Sequence, residues 1–78
     1  MTPSDTAVHL AMSQRPEELW QMLRLAVRHR RQCSPEDRLI WTIVVRDHMA
    51  ALELQALEPA YVANALVFGS AKGVRWSG

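Results

Sequence analysis

The sequence predicts an all-α protein, a compact bundle of about four helices gathered around a long, mostly apolar third one. Three observations carry that expectation. All four prolines stand where a helix can begin, apolar residues recur at helical spacing between them, and residues 35–57 are apolar around most of a helical circumference. Proline suits the first helical position because its missing N–H would have no partner there and its φ is already set. The expected helices cover residues 3–13, 16–31, 35–57 and 59–70.

Thr2-Pro3-Ser4-Asp5 and Ser34-Pro35-Glu36-Asp37 each place a hydroxyl before proline and an acid three residues after that hydroxyl, close to a capping box. Arg15-Pro16-Glu17-Glu18 has no such hydroxyl but sets two acids in the first turn, where the helix dipole favours them. The second helix is two-faced at about 100° per residue. Leu19, Trp20, Met22, Leu23, Ala26 and Val27 fall on one side, while Glu17, Gln21, Arg24, Arg28 and Arg31 fall on the other with Leu25.

The third helix differs, since only Arg38, Thr42, Arg46 and Glu53 make a consistent polar stripe along it. A helix this apolar must be wrapped by neighbours, and three short helices can cover most of it but not all. Leu39 to Val45 is also β-prone by composition, but the Ser-Pro-Glu-Asp start and the helix formers from Met49 to Leu57 favour a helix. The fourth helix carries Tyr61, Val62, Ala65, Leu66 and Phe68, and Gly69 or Gly73 can close it. Residues 1–73 are read as a single helical domain and 74–78 as a short C-terminal tail.

Size limits what such a chain can do. A domain of 78 residues buries only about 60–65% of its unfolded surface, so its core is thin. Cys33 is the only cysteine, which removes an intrachain disulfide as a staple. A lone thiol without a signal-peptide pattern points to a reducing compartment, the cytoplasm. No apolar run reaches the roughly 18 residues that cross a membrane. Apolar residues make up 49% of the chain, more than so small a body easily covers, and self-association is the natural outlet.

Net charge is +1, but its distribution is uneven. Residues 1–33 hold five Arg against three acids, residues 34–58 two Arg against five acids, and residues 59–78 only Lys72 and Arg75. The basic cluster Arg24, Arg28, His29, Arg30 and Arg31 is the strongest single signal. Arg24, Arg28 and Arg31 form a stripe about 10 Å long on one helix face. Arginine forks bind phosphate and carboxylate through paired hydrogen bonds. Cations at a helix C-terminus also complement its dipole, and acids from residues 36–58 are available to pair with them.

No catalytic group, cofactor site or metal site is expected. His29 and Cys33 are four residues apart, but two ligands do not hold structural zinc. Cys33 with a histidine base would need a cleft that four short helices hardly provide. A helix-turn-helix over residues 6–27 would lead its recognition helix with Glu17 and Glu18, facing phosphates unfavourably. Gly69 to Gly73 lacks the spacing of a phosphate-binding loop. Asp47 and His48 point into the apolar arc of the third helix, either at its rim or at an interface.

These readings lead to a non-catalytic protein-interaction module: a small inhibitor, adaptor or assembly subunit that binds a protein partner and self-associates as a homo-oligomer, of a size suited to phage or mobile-element proteins. The candidate partner-binding residues are Arg24, Arg28, Arg30, Arg31, Asp47, His48 and Trp76. The alternative is a nucleic-acid-associated protein that binds phosphates through Arg24, Arg28, Arg30 and Arg31.

Overall fold

Helices begin at Pro16 and Pro35, where the sequence places them. The computed structural model describes residues 2–67. Among these the chain forms α1 (Asp5–Ser13), α2 (Pro16–Gln32), α3 (Pro35–Leu57) and α4 (residues 59–67), without a strand. The fold is therefore an all-α bundle, and the β-prone residues 39–45 lie within α3. Gly69, Gly73 and the expected tail with Trp76 lie outside the described residues.

The caps depart from expectation in an instructive way. Expected from residue 3 under a Thr2 cap, α1 instead starts at Asp5 with Ser4 as its N-cap. The Ser4 hydroxyl accepts the Ala7 N–H at 3.1 Å and donates to Asp47 Oδ1 at 2.8 Å, a double engagement that fixes the boundary there. Arg15 has no acceptor in its side chain, so only the reverse half of a capping box forms before α2: its N–H donates to Glu18 Oε1 at 2.9 Å. At α3 the expected Ser34 hydroxyl cap is absent, and the Asp37 N–H donates to the Ser34 carbonyl at 3.1 Å instead. A tight first turn thus satisfies a donor that the hydroxyl leaves free.

Two neighbours flank α3 in opposite directions. Only two residues separate α2 from α3, and the pair folds back antiparallel: His29 meets Trp41, while Trp20 and Leu23 border Met49 and Leu52. By contrast α1 runs the same way as α3, with Ser4 beside Asp47 and Ala11 beside Gln55. Having nine residues against 23, α1 reaches only the C-terminal half of α3.

Alanine lets these helices approach closely, since interaxial distance follows side-chain size. Ala7, Ala11, Ala26, Ala51 and Ala65 are fully buried, and Leu19 is the one large side chain among the described residues buried to the same degree. Tyr61, at the start of α4, packs on the cluster of Ala11, Leu19 and Ala51. The buried face of α2 is narrower than its apolar face: Leu19, Leu23 and Ala26 go inside, whereas Trp20 and Met22 stay 51% and 42% exposed.

A polar side chain joins this core. Gln55, 4% exposed, donates from Nε2 to the Ala11 carbonyl at 3.1 Å and to the Gln14 carbonyl at 2.7 Å. A helix leaves its last four carbonyls without intrahelical partners. Gln55 satisfies one of these and the carbonyl that follows α1, so a residue of α3 caps α1 from outside. Its own Oε1 is buried without a hydrogen bond.

Two substitutions test this construction. Leu19→Ala should cost about 2–5 kcal/mol, a large part of the roughly 5–15 kcal/mol that holds a domain together; its thermal midpoint, followed by circular dichroism, should fall steeply. Gln55→Ala should cost about 2–3 kcal/mol by leaving two carbonyls without donors, read as a lower urea midpoint. An unchanged midpoint would show that those carbonyls find other partners.

Candidate binding surfaces

The residues singled out in the sequence separate into those used inside the molecule and those left outside. Asp47 accepts the Ser4 hydroxyl and sits against the N-terminus of α1, where a negative charge is favoured. His48 is 8% exposed, and its Nδ1–H donates to the Val44 carbonyl at 2.7 Å, one turn back on the same helix. The sequence allows either residue a place at the rim of the apolar arc or at an interface. Internal hydrogen bonds account for each of them, and His48 does not stand on an open surface.

The basic cluster divides in the same manner. The His29 ring stacks on Trp41 of α3, with centroids 4.8 Å apart and planes 16° from parallel. Arg30 Nε donates to Thr42 Oγ1 at 2.9 Å, and the Thr42 hydroxyl donates to the Arg38 carbonyl at 2.8 Å. These contacts fasten the end of α2 to the first turns of α3. Arg24, Arg28 and Arg31 remain exposed, with Arg31 beside Arg30 and Arg38 where α2 meets α3.

Those three arginines share their surface with Trp20, which helical spacing places on the apolar side of α2. An open depression on α2 is lined by Trp20, Leu23, Arg24, Val27, Arg28 and Arg31. Trp20 also borders a furrow against Met49, Leu52, Glu53 and Ala56 of α3. The missed signal was spacing: Trp20, Arg24, Val27 and Arg31 are separated by 4, 3 and 4 residues, one continuous strip of a helix. An indole beside guanidinium groups can take a flat π-system together with an anion.

The second open surface lies on α3. Leu39, Ile40, Ile43 and Leu57 are 68%, 60%, 47% and 79% exposed. Counted at about 100° per residue from Leu39, Ile43, Ala50 and Leu57 all fall within about 40° of it. The side chains that reach α1 and α2 point elsewhere, from Asp47 near 80° to Thr42 near 300°. The result is a strip about 27 Å long, mostly apolar but carrying Arg46 near −20° and Glu53 near −40° along one edge, and turned away from α1. Ile40 stays open because α1 begins only beside Asp47.

Cys33 ends α2 as its C-cap, half-buried, with its thiol donating to the Arg30 carbonyl at 3.4 Å. His29, four residues away, is engaged with Trp41. Among the described residues, no group of three or more His, Cys, Asp or Glu could hold a metal ion, and no helix is long and apolar enough to cross a membrane. Trp76 lies outside the described residues. No family model, curated protein or solved structure matches this chain.

Proposed function

We propose that this protein is a non-catalytic interaction module that binds a protein partner through the outward face of α3 and self-associates through that face. The observation that carries the reading is the strip of Leu39, Ile43 and Leu57, each about half or more exposed on one side of the longest helix. Burying a leucine or isoleucine fully is worth about 1.5–3 kcal/mol. A chain with one large fully buried residue among those described leaves a comparable apolar resource on its outside. Inhibitors, adaptors and assembly subunits all work this way, by contact alone.

A second reading is supported by Trp20. An exposed indole among Arg24, Arg28 and Arg31 is a composition that suits single-stranded nucleic acid, with a base stacked on the ring and phosphates on the guanidinium forks. Arg30, tied to Thr42, is removed from that set.

The two readings separate by mutation and by salt. Ile43→Asp should lower self-association at least tenfold in sedimentation velocity, with helix content by circular dichroism unchanged because the side chain is already half outside. A protein that sediments as a monomer at every micromolar concentration would oppose the first reading. Under the second, three phosphate contacts to a single strand should weaken binding roughly 20-fold between 50 and 200 mM salt. Trp20→Ala and Arg28→Glu should then each reduce retention of a fluorescent oligonucleotide.

A further inference from the structure

We infer that the occupant of the α3 strip is a second copy of this chain, laid antiparallel across a two-fold axis at Ala50, with Arg46 of each copy meeting Glu53 of the other. This deepens the reading above, on which it rests, by naming the partner and the register. A two-fold axis at position 50 brings each residue before it against the residue equally far beyond it in the other copy. Ile43 and Leu57 stand seven residues to either side, so two large apolar side chains meet at each end of the contact. Ala50 meets itself, and its methyl group permits close approach where the helices cross.

Charge fixes the register. Arg46 and Glu53 lie on the same flank of the strip, near −20° and −40° from Leu39. In an antiparallel pair the same flanks of the two helices face each other, and the two-fold sets Arg46 within about 1.5 Å, measured along the axis, of the partner's Glu53. Within one chain these two residues are about 10 Å apart along the helix, too far to bridge each other directly. A parallel pair would align the two acidic first turns, Glu36 with Glu36 and Asp37 with Asp37, and would set like ends of the helix dipoles side by side. The antiparallel arrangement separates those turns by roughly 40 Å.

The test is a charge exchange followed by sedimentation equilibrium. Arg46→Glu and Glu53→Arg should each weaken dimerisation about tenfold by placing like charges together at two symmetric sites. Their combination should restore the dimer. Both positions are exposed, so neither change should disturb folding, and circular dichroism checks this. As a second measurement in a Cys33→Ser background, Ala50→Cys should cross-link two chains under mild oxidation while Glu36→Cys should not. A wild-type dimer indifferent to the exchanges, or one cross-linked through Glu36→Cys, would overturn this geometry and leave the proposed interaction face standing. A wild-type monomer at all concentrations would overturn both.

Discussion

The contact on which the bundle most depends is the amide of Gln55, buried between two helices with both of its hydrogen atoms committed to carbonyls at the end of α1. Backbone carbonyls at a helix terminus must be paired or hydrated, and here water is displaced by the packing of Ala11 against Ala51. A leucine at position 55 would fill similar space but strand those acceptors. The chain accepts an unpaired Oε1 in exchange, because turning the amide over would aim oxygen at oxygen. Together with Asp47, which holds the Ser4 hydroxyl, Gln55 pins both ends of a nine-residue helix to one neighbour.

From that constraint follows the architecture. Helix α3 is the common partner: α2 is fastened along it by the His29–Trp41 stack and the Arg30–Thr42 bond, and α1 by its two polar tethers. Neither neighbour reaches the side of α3 that bears Leu39, Ile43 and Leu57. The core among the described residues accordingly consists of alanines and two leucines, Leu19 and Leu23, enclosing little apolar volume. Hydrophobic area that a larger domain would have hidden is displayed instead.

Much of this was legible in the sequence. Pro16 and Pro35 marked their helices because proline admits few alternatives, and the surplus of apolar residues between 39 and 57 announced a face without cover. Caps were less legible. Thr2 and Ser4 are both hydroxyls near Pro3, and the structure decides for Ser4, which caps the Ala7 N–H and is held by Asp47 from across the bundle. The arginine cluster likewise appeared uniform in one dimension. Its division into tied and open members depends on where Trp41 and Thr42 fall across the hairpin. The exposure of Trp20 was hidden for a related reason: helical periodicity defines an apolar sector, but the width of the neighbouring helix determines how much of that sector is shielded.

The shortness of α1 has a consequence for motion. Held by two buried alanines and a few hydrogen bonds, it is less expensive to release than the α2–α3 hairpin, and its amide protons should exchange ahead of those in the hairpin. Once lifted, it bares Ala51 and the flank beside Asp47, widening the apolar surface of α3 from a strip into a trough. Unlatching that one short segment while the hairpin stays folded would give a larger contact area than the resting form presents.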